Sequence, residues 1–178
     1  MAASALNPAA LASRLRVAPA MVEGLLAGVS PEDALWSPDG KAWSILEVVC
    51  HLDDEESEDF RVRLESTLTD PSRAWAPLDL DDVSAKRGYR GRDLRKSVLS
   101  FAEKRAENLM WLRGALGSAD WSRAYQHPKI GPVGSASLLA SWAAHDALHL
   151  RQIAKRLYEL ANRDSGGAPT DYAGSWTA

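Results

Sequence analysis

A single cysteine, Cys50, leaves no partner for an intrachain disulfide, and the stapling that small secreted domains depend on is absent. No apolar run approaches the roughly 20 residues that span a bilayer. The opening residues, MAASALNPAALASRLRV, show no charged region followed by an apolar stretch, so no signal peptide is expected. Excess charge is lacking too: the net charge is −3, which excludes a globally basic surface for nucleic acid or anionic membrane. No basic helix with base-reading spacing is present. Internal repeats, low-complexity segments and convincing strand alternation are all missing. These absences predict a cytoplasmic protein that binds neither nucleic acid nor membrane.

What is present is ordinary in bulk. Apolar residues make up 46% and charged residues 25% of the chain, as in globular domains generally. Its 178 residues suit one domain, residues 1–178, with a sizeable core. Seven tryptophans are many for this length, and such rings fill cores or line pockets.

Apolar periodicity predicts four long helices. The first covers about 8–27, with Asn7 as N-cap and Pro8 at the first helical position. Pro19 should kink or split it. Ser30-Pro31-Glu32-Asp33 reads as a short capped turn. The second starts at Ser44, where Ser44 and Glu47 form a capping box. Ile45, Val48, Val49, Leu52, Phe60, Leu64 and Leu68 carry its stripe until Asp70-Pro71 ends it. Residues 70–91 read as a long loop of the kind that is often functional. The third helix covers about 92–116 and stops at Gly117. A second loop spans 118–134, and the fourth helix runs from near Ser135 to about Ala161. The core is therefore expected over about 8–161, with 162–178 an irregular tail. The pattern is all-α, a four-helix bundle with long inter-helix loops. The second helix carries eight acids against two arginines, and the third carries six bases against three acids. Opposite signs favour neighbouring placement, at about 0–1 kcal/mol for each exposed pair.

Three histidines bear the functional reading. His145 and His149 lie i, i+4 on the fourth helix and so share a face. His51 on the second helix can complete a three-nitrogen set, and three protein ligands leave one position open for water or substrate. Ala143, Ala144 and Ala147 leave room around the pair. Gln152 shares their face and can orient a ligand ring or a bound molecule. His127 precedes a proline in a loop, where a histidine ordinarily meets backbone or solvent. Cys50 points about 100° away from His51 and reads as a buried packing residue. The acidic run Asp53–Asp59 covers almost two turns, so it cannot all face solvent. Glu56 and Asp59 fall near the apolar arc, and Glu55 lies one turn beyond His51.

The stretches Trp43-Ser44-Ile45-Leu46-Glu47 through His51-Leu52-Asp53-Asp54-Glu55-Glu56, and His145-Asp146-Ala147-Leu148-His149-Leu150-Arg151-Gln152-Ile153, resemble the two signatures of the DinB/YfiT-like superfamily of metalloenzymes. The resemblance implies a four-helix bundle, often dimeric. It implies a divalent metal, zinc or nickel, on His51, His145 and His149. It also implies a small-molecule substrate and, in some relatives, a low-molecular-weight thiol co-substrate such as bacillithiol or mycothiol. The expectation is a metal-dependent enzyme, a thiol S-transferase or a hydrolase, in which Glu56 or Asp54 moves a proton and Trp43 and Trp142 wall the pocket. The alternative is a non-enzymatic metal or small-molecule binding protein with a stress role. A homodimer is expected.

Overall fold

The computed structural model describes residues 5–78 and 81–176. Its elements are α1 (Pro8–Leu25), α2 (Pro31–Leu35), α3 (Ile45–Glu58), α4 (Phe60–Thr69), α5 (Val83–Lys86), α6 (Leu94–Ala115), β1 (Ala124–His127), β2 (Gly131–Gly134) and α7 (Ser135–Asp164). Counting α3 and α4 as one bent member, the long helices form a four-helix bundle. Around it, α1 packs on α6 and α7, and α3 packs on the same two. The pairs α1/α3 and α6/α7 are therefore diagonal, and each diagonal step is made by a long connection, 26–44 or 116–134. No helix among the described residues is long and apolar enough to cross a membrane.

The predicted caps are in place. The Asn7 side chain accepts the Ala10 N–H. The Ser44 and Glu47 side chains close the capping box that starts α3. The Asp93 side chain, which the sequence did not single out, caps α6. Three sequence expectations are corrected. First, of the kink or split expected at Pro19, the split does not occur: α1 is continuous through it. A proline withholds the N–H that the carbonyl four residues back would accept. That carbonyl belongs to Leu15, and it accepts from Arg105 Nη1 at 2.9 Å instead.

Second, the expected continuous second helix breaks at Asp59 (φ −121°, ψ −98°) into α3 and α4. The Glu56 carbonyl at the break accepts from Asn108 Nδ2 at 2.8 Å. The bend lets α3 follow α6 while α4 follows α7. Third, the loop expected over 118–134 contains a hairpin. Its register runs from Ala124 opposite Gly134 to His127 opposite Gly131, and Gly131 turns it with φ +78°. Residues 70–91 likewise hold α5 and a 3₁₀ turn at Tyr89–Gly91. At the C-terminal end, α7 runs three residues past Ala161. The tail then folds back, with the Trp176 and Tyr158 rings 5.8 Å apart.

Two apolar clusters fill the bundle. One gathers Val22, Ile45, Val49, Phe101 and Ile153, and the other Leu15, Leu64, Leu112, Leu139 and Trp142. Each fully buried side chain of this size contributes about 1.5–3 kcal/mol. A buried ionic network lies between them along the helices. Arg105 is 1% exposed. It grips Glu56 through Nε (2.8 Å) and Nη2 (2.6 Å), and Asp146 through Nη1 (2.6 Å) and Nη2 (2.9 Å). With its Leu15 contact, it ties α1, α3, α6 and α7 together at one level.

Candidate metal centre

His51 comes two turns after the α3 cap. Glu47 accepts from the Ser44 N–H and hydroxyl, from Ser84 and from Arg90, so the start of the helix is held from several sides. His145 and His149 stand one turn apart on α7, the helix diagonal to α6. Their Nε2 atoms are 3.0 Å apart, and His51 Nε2 lies 3.3 Å from His145 Nε2. One donor nitrogen from each ring falls within 4.8 Å of the other two.

This donor set fits a divalent ion. Two nitrogens bound to one tetrahedral ion at about 2.0–2.1 Å stand about 3.3 Å apart, close to the spacing here. The tautomers fit as well. Gln152 Oε1 lies 2.9 Å from His149 Nδ1, so that nitrogen donates and Nε2 keeps its lone pair. Burial, reinforced by the neighbouring rings, pushes His51 down to about 4 and His145 down to about 3. Burial also lowers His149. All three imidazoles are therefore neutral at pH 7, as ligands must be.

Around them, Trp43 meets His51 edge-on at 5.1 Å between ring centroids. Phe60, the first residue after the break, lies 4.9 Å from His145. Glu55 Oε1 stands 3.7 Å from His51 Nδ1. Burial, together with the Asp59 carboxylate beside it, pushes the Glu55 carboxyl up to about 8, so it is protonated at neutral pH.

The other sequence candidates are held by other partners. Glu56 is held by Arg105, and it accepts from Trp142 Nε1 at 3.1 Å and Asn108 Nδ2 at 3.0 Å. Trp142 is 1% exposed and lies in the core, where its ring stacks on Phe60 at 6.3 Å. Asp54 is gripped by Arg92 (2.8 and 3.1 Å), Arg87 (2.9 Å) and the Tyr89 hydroxyl (3.0 Å), and these contacts hold its carboxyl below the usual range despite burial. His127 Nδ1 accepts the backbone N–H groups of Lys129 and Ile130. Cys50 is buried against Ser97 and the Tyr89 carbonyl.

Phe60 and the Arg105–Asp146 pair were not singled out from sequence. Arg105 did leave a signal. It sits four residues after Phe101 and seven before Leu112, a cation within an apolar stripe, which demands a buried acid.

Residues 14–153 match the family model of the DinB superfamily. Among solved structures, YfiT from Bacillus subtilis, described as a probable metal-dependent hydrolase with an unusual four-helix bundle topology, aligns with a TM-score of 0.77 at 20% identity. The alignment covers 90% of this chain and 91% of that one. At such identity the likeness is one of fold. No curated protein matches the chain.

Proposed function

The chain belongs to the DinB superfamily, and from that premise we propose that it is a divalent-metal-dependent enzyme acting on a small molecule. The observation that carries this reading is the convergence of His51, His145 and His149 Nε2 at 3.0–3.3 Å between neighbours. YfiT, described as a probable metal-dependent hydrolase on the same fold, supports it. A zinc or nickel ion held there would supply Lewis acidity, lowering the pKa of water or of a thiol co-substrate into the neutral range.

The chain's own groups divide the remaining work. Gln152 holds the His149 ring by its Nδ1. Trp43 and Phe60 exclude water on two sides of the histidines. Glu55, rather than Glu56 or Asp54, is the carboxyl that carries a proton beside the site. It stands 3.7 Å from His51 Nδ1 and is protonated up to about pH 8, whereas Glu56 and Asp54 are committed to guanidinium groups. A general acid or base works best with a pKa near the operating pH.

The test starts with elemental analysis of protein purified without a metal-affinity step. About one zinc or nickel per chain is expected, and its loss in His51→Ala. Metal-free protein that takes up no stoichiometric ion on titration overturns the reading. Assays against ester and amide substrates, with and without a thiol panel, then separate hydrolase from S-transferase. A loaded protein inactive in all of them leaves the non-enzymatic binding protein as the better description.

A further inference from the structure

The groups next to the histidines lead outward along one path. Glu55 lies beside His51, and the Asp59 carboxylate lies beside Glu55. Arg63 Nε pairs with Asp59 at 2.9 Å. The Arg63 guanidinium in turn sits 4.8 Å over the ring of Trp75. There a cleft of about 390 Å³ opens between the first turns of α4, residues 75–78 and the tip of the β1–β2 hairpin. The hairpin is anchored at the far end of α4, where Arg123 donates to the Leu68 and Thr69 carbonyls. From there it runs back along α4, so its tip arrives opposite Asp59.

Among its described lining residues the cleft has more side-chain donors than carboxylates. His127 Nδ1 accepts from the Lys129 and Ile130 backbone, so Nε2 is the ring's donor, and it has no hydrogen-bond partner among the described residues. The Lys129 ammonium has no ion-pair partner among the described residues, and Arg63 has only Asp59. Trp75 Nε1 is a buried donor without a partner among the described residues. Among the described residues of the lining, Asp59 is the one carboxylate, and Arg63 already engages it. The opposite wall is apolar, with Trp75 stacked on Tyr125 at 4.2 Å and Pro77 and Pro128 beside them. A pocket of this size with an apolar wall and a few convergent donors has the character of a small-ligand site.

We propose that this cleft binds a small organic carboxylate, its anionic head on Lys129, Arg63 and His127 Nε2 and its apolar body against Trp75 and the two prolines. Because the path from the cleft ends at His51, the cleft is the recognition end for a carboxylate-bearing substrate. That last step rests on the metal-dependent reading above, while the binding itself does not.

The test uses phenylacetate as probe, with phenylacetamide as its neutral counterpart and inorganic phosphate as an anion without an apolar body. The full-length ¹⁵N-labelled protein is titrated, and the Trp75 indole resonance, assigned by its absence in W75F, is followed. A saturable shift with phenylacetate is expected, with at least tenfold weaker binding of the amide and of phosphate. Lys129→Gln, at an exposed tip position whose side chain makes no hydrogen bond or ion pair among the described residues, should weaken phenylacetate at least threefold, and Arg63→Gln with Lys129→Gln further. The same titration on His149→Ala should give unchanged affinity, which separates the cleft from direct ligation of a metal. Failure of the metal reading shows in the elemental analysis and leaves this titration readable. No saturable shift, equal binding of amide or phosphate, or full affinity in Lys129→Gln overturns the proposal.

Discussion

Arg105 is the residue on which the most deeply buried ion pairs depend. It neutralises Glu56 and Asp146 and accounts for the Leu15 carbonyl that Pro19 leaves free. Replacing Arg105 by Met strands two acids in the core, so a loss of about 3–5 kcal/mol is expected. Urea denaturation followed by far-UV circular dichroism measures it, and a loss below 1 kcal/mol would contradict a tightly paired network. The histidines predict a pH dependence of the metal-free protein. Burial holds His51 near 4 and His145 near 3 in the folded state, against about 6.5 when unfolded. The unfolded chain therefore binds protons first as the pH falls below about 6.5, and stability drops with acidification from there toward pH 4. Glu55 has the opposite sign. Its folded carboxyl keeps a proton to about 8, so the stability it contributes is complete below about 4.5 and is lost as pH rises through 8. Between about 4.5 and 6.5 the histidines outnumber the single glutamate and set the slope. Thermal melts of metal-stripped protein should thus show a maximum near pH 6.5. Glu55→Gln should flatten the decline between 6.5 and 8, and an unchanged alkaline limb in that variant would refute the assignment.

At the scale of elements, α3 shows how a cap becomes a site determinant. Ser44 is fully buried and bonded to Glu47, and the helix it starts places His51 two turns later. Ser44→Ala removes the cap and leaves Glu47 short of one donor. A destabilisation of about 1–2 kcal/mol is expected, read as a lower urea midpoint at constant m-value. A changed m-value would mean that the start of the helix had rearranged instead. The bend at Asp59 has a second consequence. It swings Phe60 onto His145, so one backbone irregularity supplies both the apolar side of the metal centre and the turn toward the cleft. The opposite charges of the second and third predicted helices also find each other. Asp53 pairs with Lys104, Asp54 with Arg92 and Glu56 with Arg105, and α3 lies against α6 along its length.

For the whole molecule, the question is whether an ion bound at the three histidines would hold the fold or serve only the function. The two apolar clusters and the Arg105 network lie in the bundle independently of the three rings, and a core of this size stands without a metal. His149→Ala should therefore abolish tight metal binding and leave a cooperative, mostly helical unfolding transition. Bound metal measured by elemental analysis alongside a calorimetric scan decides it. If the fold is lost together with the metal, the ion is structural and the enzyme reading loses its support.

Residue types and spacing by themselves determined where the long helices run, the Asn7 and Ser44 caps and the shared face of His145 and His149, because these depend on local hydrogen bonding and on a fixed 3.6-residue period. The same periodicity on a second helix made His51 a candidate but could not place it within 3.3 Å of His145; that took the packing of α3 against α7. Only tertiary structure decided which acids face what. Glu55 and Glu56 are neighbours in sequence and both buried, yet one meets His51 and the other meets Arg105, since 100° of helical rotation separates their partners. The hairpin escaped the sequence because four-residue strands around Pro128, Gly131 and Pro132 carry no alternating apolar pattern. They are held by each other's backbone and by the Trp75–Tyr125 stack. The diagonal order of the bundle was equally invisible, because connection length permits a crossing without requiring it, and only the mutual fit of helix faces selects the path.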